Sequence, residues 1–304
     1  MKPRIGMCWL YAITKYGYVM PLDDIFRAIE DARRLNFTLF EIEGVGEQFR
    51  VVVENKEAIR TKCREAGLKI VDFVAVLPDL VSVDETKRKT AIANFKSGCE
   101  AASFLGADMV ELDTYYPPLY VTKPYDISRD FGYAYEPPKM RVEPSFDFWK
   151  YFDSVVVDSV ANCNDFAASL GLKLCIEPRV WETISNPWAI EILLREVRSS
   201  NLGAVLDTAH LACQRTPLVQ AVEMLGKRIF YVHASDCDYT SEDHLEIGKG
   251  KIDWVTLLNA LDKQGFDGVF GIDIGGTPKM RDKLDDVYLR SKVYLTTALT
   301  KNAN

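Results

Sequence analysis

Histidine is scarce in this sequence: three residues in 304, at His210, His233 and His244. Basic residues are in deficit as well, with 37 Lys and Arg against 44 Asp and Glu and a formal net charge of −7. That balance excludes a broad nucleic-acid face, which needs clustered cations to meet phosphates. No run of about 20 apolar residues occurs, so no membrane span is expected. The opening MKPRIGMCWLYAITKYG has no continuous apolar stretch with a small-residue cleavage site, so no secretory leader is expected. Seven cysteines (Cys8, Cys63, Cys99, Cys163, Cys175, Cys213 and Cys237) are scattered, odd in number and without a CxxC pair. They predict reduced thiols in a cytoplasmic protein rather than a disulfide framework or a cysteine metal site. A glycine-rich phosphate turn is also missing after the first apolar run, where Met7-Cys8-Trp9-Leu10 stands. That counts against a doubly wound nucleotide-binding sheet.

What is present is an alternation. The composition, 48% hydrophobic and 27% charged, is that of a soluble globular chain. Eight short apolar runs read as strands buried on both faces: Arg4–Leu10, Phe37–Glu43, Lys69–Val76, Asp108–Asp113, Lys173–Glu177, Gly203–Asp207, Ile229–His233 and Gly268–Asp273. Helical patterns lie between them. Pro21–Leu35 carries Leu22, Ile25, Ile29 and Ala32 near a 3.6-residue period, and others cover 55–66, 84–104, 145–169, 187–198, 217–225, 253–264 and 282–299. Ser82 with Glu85, Ser145 and Asn186-Pro187 read as helix starts, and Gly67, Gly106, Gly171 and Gly265 as helix ends. Eight strand–helix repeats predict a closed parallel (β/α)8 TIM barrel, a fold of roughly 250 residues, as one domain over residues 1–304. One connection breaks the rhythm. Residues 114–144, rich in Tyr and Pro, form a long insertion after the fourth strand, read as a lid or a partner-binding flap.

In such barrels chemistry sits at the carboxyl ends of the strands. The last four expected strands each end in a metal-binding residue type. KLCIEPR brings Glu177; GAVLDTAH brings Asp207 with His210; IFYVHASD brings His233 with Asp236; GVFGIDIGG brings Asp273. Adjacent strands point their end residues at one centre, where three carboxylates and an imidazole would repel or lie desolvated without a cation. A divalent metal held by Glu177, Asp207, His233 and Asp273 resolves both problems. Oxygen and imidazole ligands suit Mn²⁺ first, then Mg²⁺, Co²⁺ or Fe²⁺, and permit Zn²⁺. Trp9, Phe73, Glu111 and Asp113 fall at the ends of early strands and are candidate pocket residues. So are Asp236 and His244 on the late rim.

The pieces IEPR, VLDTAH, YVHASD, HLEIGKGKIDW and GIDIGG, in this order and spacing, resemble the xylose-isomerase-like TIM barrel superfamily and its sugar phosphate isomerase/epimerase branch. The resemblance implies a single metal on Glu177, Asp207, His233 and Asp273. It also implies Glu177 and Asp273 as an acid/base pair, and His210 as a contact to substrate oxygens. Two positions depart from the epimerase pattern: Asp273 stands where Glu is usual, and Tyr239 where Arg is usual. Arg179 and Glu182, just after Glu177, are candidates to serve the substrate instead.

The expected activity is a divalent-metal-dependent sugar or keto-sugar isomerase/epimerase working through an enediolate. Polarising a carbonyl lowers the cost of removing the adjacent proton, which a carboxylate then takes. The alternative is a lyase on 3-keto-glycosides, of the type of large subunits that deglycosylate C-glycosides, with the flap covering an aglycone or seating a small partner subunit. A homo-oligomer is equally compatible. An AP endonuclease of the same barrel type would draw on His210, Glu242 and His244 for a further metal, but the third and fourth strand regions hold no His and the charge is acidic. A non-catalytic barrel would require the four strand-end ligands to bind nothing.

Overall fold

A computed structural model describes residues 4–121 and 138–301. Eight parallel strands close into a barrel in chain order. They are β1 (Ile5–Met7), β2 (Leu39–Val45), β3 (Lys69–Val76), β4 (Met109–Leu112), β5 (Lys173–Ile176), β6 (Leu202–Asp207), β7 (Ile229–Ala234) and β8 (Val269–Ile272). Closure is direct: Ile5, Gly6 and Met7 of β1 stand beside Phe270, Gly271 and Ile272 of β8. Each strand overlaps its expected apolar run. β2 runs on to Val45, which makes Glu43 an interior residue of the strand.

Helices separate the strands, and two starts differ from expectation. Asp84, not a Ser82–Glu85 box, caps the helix Glu85–Leu105 by accepting the N–H groups of Thr86 and Lys87. Ser82 instead accepts the Asp84 N–H, shaping the turn before the cap. Asp147, not Ser145, caps the helix that opens at Phe148, which passes through a π-helical turn over Phe152–Val157. Asn186 caps Pro187–Val197 through the N–H groups of Trp188 and Ala189, as expected. Among the described residues, the α-helices outside the expected set are Leu10–Tyr16, Glu47–Glu54 and Thr208–Cys213.

Strand alternation turns every second side chain into the barrel. Cys8, Val71, Met109, Cys175, Val205, Tyr231 and Val269 form an apolar floor. Gly271 belongs to the same inner face because Tyr231 fills the space opposite: a Cβ there would meet the Tyr231 hydroxyl and the Cys8 sulfur at 2.3 Å each. Two residues beyond the floor, the inward positions become polar: Met109 is followed by Glu111, Cys175 by Glu177, Val205 by Asp207, Tyr231 by His233 and Gly271 by Asp273. The fold thus lays a buried polar layer on an apolar one, at the carboxyl ends of the strands.

Candidate metal centre

His233 stands at the middle of this layer. Its Nδ1 lies 2.7 Å from Glu177 Oε1 and 3.8 Å from Asp207 Oδ2. Its Nε2 lies 2.9 Å from Glu41 Oε2 and 3.6 Å from Glu111 Oε2. Asp207, His233 and Asp273 each offer a ligand atom, and these atoms lie within 4.8 Å of one another. Glu111, Glu177 and His233 meet the same limit.

Asp207 is aimed by the backbone that follows it. It caps the helix Thr208–Cys213, and its Oδ1 accepts the His210 N–H at 2.6 Å. Its Oδ2 is left toward His233, buried and without a hydrogen-bond partner. Asp273 is held from the late rim, where His244 Nδ1 lies 2.9 Å from its Oδ2. His210 Nδ1 meets Glu242 Oε1 at 2.7 Å, and the His210 and His244 rings meet edge-on at 5.0 Å. Glu41 is held from the first strand: its Oε1 accepts the Trp9 N–H at 3.0 Å while its Oε2 faces His233.

Burial dominates the electrostatics. It opposes charge on His233, but the Cys8 thiol and Glu41, Glu111 and Glu177 push the imidazole well above its ordinary value. Burial also pushes the Glu177 carboxyl up, yet His233, then Arg179 and His210, hold it far below the usual carboxylate range. Asp207 is raised by burial despite His210 and His244. Asp72 and Glu111, fully buried, are driven well above the carboxylate range by burial. An excess of desolvated carboxylates around one imidazolium, with an orphaned oxygen on Asp207, fits a divalent cation and offers it oxygen and imidazole donors.

The other candidates are distributed as follows. Arg179 pairs with Asp113 at 2.8 Å and reaches Glu177 at 3.6 Å. Glu182 turns to the foot of the insertion, where its Oε2 accepts the Tyr115 N–H at 2.8 Å. Asp236 is taken up by its own loop, accepting from the N–H groups of Cys237, Gly248 and Ile252 and from the Trp254 indole. The Trp9 ring is fully buried, edge-on to Phe40, and Phe73 lies beside Phe49. The insertion begins as an antiparallel pair, Tyr120 beside Met140, and the Tyr120 hydroxyl donates to the Trp181 carbonyl. Its central part, 122–137, lies outside the described residues. Sequence reasoning passed over Glu41, Glu43 and Asp72. The signal for Glu41 and Glu43 was Phe-Glu-Ile-Glu-Gly, with two carboxylates one residue apart inside an apolar run, and therefore on one face of a strand.

The family model of the xylose isomerase-like TIM barrel matches residues 29–291. The chain belongs to that family. Among xylose isomerase-like proteins it is 26% identical to a ketose 3-epimerase of Arthrobacter globiformis over 230 residues, 68% of this chain and 73% of that protein. It is 27% identical to an uncharacterized protein of Methanocaldococcus jannaschii over 143 residues, 43% of this chain, and the match spans about half (49%) of that relative's length. The IOLI protein, whose crystal structure has a binding zinc atom, superposes with a TM-score of 0.74 at 16% sequence identity, covering 98% of this chain and 99% of that one. No helix among the described residues is long and apolar enough to cross a membrane.

Proposed function

We propose that this xylose isomerase-like barrel is a divalent-metal-dependent isomerase or epimerase of a sugar or keto-sugar. The observation that carries the reading is the convergence of Asp207, His233 and Asp273 within 4.8 Å, with Glu177 2.7 Å from the same His233 nitrogen. These four residues would hold the metal through carboxylate oxygens and His233 Nδ1. Mn²⁺ fits the donor set best, with Mg²⁺, Co²⁺, Fe²⁺ and Zn²⁺ as alternatives. When bound, such an ion supplies Lewis-acid polarisation of a substrate carbonyl and its neighbouring hydroxyl. Glu177 takes the proton from the carbon beside that carbonyl, giving an enediolate. His233, and after it Arg179 fixed by Asp113, keep Glu177 ionised for the task. His210 and His244 orient substrate oxygens and Asp273, and Asp273 is the second proton-transfer group. The relationship to a ketose 3-epimerase supports this reading. Seven free cysteines suit a reducing cytoplasm.

The aromatic foot of the insertion supports a second reading. Tyr116 stacks on Tyr120 with centroids 5.6 Å apart and meets Tyr115 at a tilt at 4.5 Å, an aromatic cluster suited to the aglycone of a 3-keto-glycoside. One experiment tests both readings. Free ketoses and 3-keto-glycosides are incubated with the Mn²⁺-loaded protein in D₂O. Deuterium at the carbon next to the carbonyl, with an epimer or aldose as product, supports isomerisation; release of the aglycone supports the lyase. Glu177→Gln is expected to lower either rate by at least about 10³-fold. Absence of both exchange and release with every substrate overturns the assignment.

A further inference from the structure

The metal-facing half of the polar layer accounts for one end of a substrate. The adjoining wall carries Glu43, which this chemistry does not use, and the Asp113–Arg179 pair, of which it uses only the contact of Arg179 with Glu177. Glu43 follows Glu41 by two residues on β2, so its carboxylate points to the same inner face, roughly 6.6 Å nearer the barrel mouth. It is half-buried, and it accepts a hydrogen bond from the Tyr18 hydroxyl. The Tyr18 ring is seated on the apolar cluster of Val45, Val74 and Val76 at the ends of β2 and β3. Burial pushes the Glu43 carboxyl up to about 8; Tyr18 and Arg179 oppose the rise, and Glu41 and Asp113 add to it. Asp113 is 1% exposed; its Oδ2 binds Arg179, while its Oδ1 has no hydrogen-bond partner and is a buried acceptor awaiting a donor. The cation on this wall, Arg179, is already shared between Asp113 and Glu177.

We propose that Glu43, held by Tyr18, and the Asp113–Arg179 pair form the site for the end of the substrate that does not reach the metal, and that they read uncharged hydroxyl groups there rather than a phosphate. A sugar hydroxyl both donates and accepts, so it satisfies a carboxyl or carboxylate such as Glu43 and the orphaned Asp113 oxygen. A phosphate carries close to two negative charges. On this wall it meets the acidic side chains of Glu41 and Asp113, with Glu43 offering a hydrogen bond but no positive charge, and, among the described residues, no unshared cation. The pocket therefore takes a free polyhydroxy carbonyl compound and rejects its phosphorylated form. This inference rests on the sugar isomerase reading for the class of ligand, but its test reads binding rather than turnover.

The probes are sorbitol and sorbitol 6-phosphate, titrated calorimetrically into the Mn²⁺-loaded protein. Wild type is expected to bind sorbitol at least about 30-fold more tightly than its phosphate. Glu43→Ala is expected to weaken sorbitol by about tenfold, while Mn²⁺ affinity stays within twofold. Tyr18→Phe, which removes the hydroxyl that holds Glu43, is expected to weaken sorbitol in the same direction and serves alone should Glu43→Ala fail to fold. Three results overturn the inference: equal affinity for both probes, sorbitol binding unmoved by both variants, and no sorbitol binding to wild type. Sorbitol binding that depends on Glu43, in a protein without isomerase or lyase turnover, leaves this site standing and removes the proposed reaction.

Discussion

At the scale of single residues, Glu41 shows how the two halves of the barrel are tied. Its carboxylate takes the Trp9 N–H from the end of β1 and faces His233 Nε2 at 2.9 Å. With Nε2 engaged there, Nδ1 is left to Glu177 and Asp207. A carboxylate behind a ligating imidazole fixes the tautomer and ring angle and raises the basicity of the metal-facing nitrogen. Glu41→Gln is therefore expected to weaken Mn²⁺ binding by about 10- to 100-fold with the fold intact. Titration of the metal-free protein, followed by Mn²⁺ electron paramagnetic resonance, measures this. Unchanged affinity would separate Glu41 from the centre. Its pairing with Glu43 on one strand face was legible in the sequence, but its place beside His233 was not. A Glu in an apolar strand reads equally as a solvent-facing edge, and only barrel closure brings β2 across to β7. Glu177, Asp207, His233 and Asp273 were legible because each sits at the carboxyl end of its own apolar run, where a barrel places its rim.

At the scale of elements, the segment after β7 is organised by one carboxylate. Asp236 accepts four hydrogen bonds, from the Cys237, Gly248 and Ile252 N–H groups at 2.9, 2.7 and 3.1 Å and from the Trp254 indole at 3.0 Å. The loop so closed presents Glu242 and His244 to His210 and Asp273. Hydrogen bonds to a charged acceptor contribute about 1.5–3 kcal/mol, and orphaned buried donors add desolvation costs. Asp236→Ala is expected to cost about 3 kcal/mol or more in urea unfolding, and to abolish turnover by releasing His244. Gly250→Ala acts on the same joint, since its Cβ would sit 2.2 Å from Asp236 Oδ1 and 2.6 Å from the Cys237 carbonyl. A Gly250→Ala protein as stable as wild type would mean that this joint is not tight. Sequence reading saw Asp236 as a pocket residue because it follows His233 so closely. It had no means of seeing that the acid is saturated by its own loop. The helix Glu47–Glu54 was hidden for a different reason. Its Val51-Val52-Val53 favours strands by χ1 restriction, and burial of Phe49 and Val52 decides otherwise.

At the scale of the whole molecule, the barrel needs its first and last strands to stay paired, and the helices outside that seam are cross-linked by charge. Asp285, in the first turn of the helix Leu284–Lys301, accepts from the Tyr11 hydroxyl at 2.6 Å and Lys15 at 2.7 Å in the helix Leu10–Tyr16. It also accepts from Arg34 at 2.5 Å, in the helix Leu22–Arg34. Burial alone would raise its carboxyl, but Lys15, Tyr11 and Arg34 hold it at about 2. A depressed carboxyl contributes stability above its unfolded value of about 3.9, and that contribution is lost as pH falls from about 4 through about 2. The shift alone corresponds to roughly 2.5 kcal/mol. The side chain is 33% exposed, so solvent screening brings the expected contribution to about 1 kcal/mol. Asp285→Asn is thus expected to lose about 1 kcal/mol at pH 7, with the gap to wild type closing as the pH approaches 2. Urea unfolding of both proteins across that range decides the matter. A gap of the same size at pH 7 and pH 2 would assign the loss to packing at the seam rather than to its ionic cross-link.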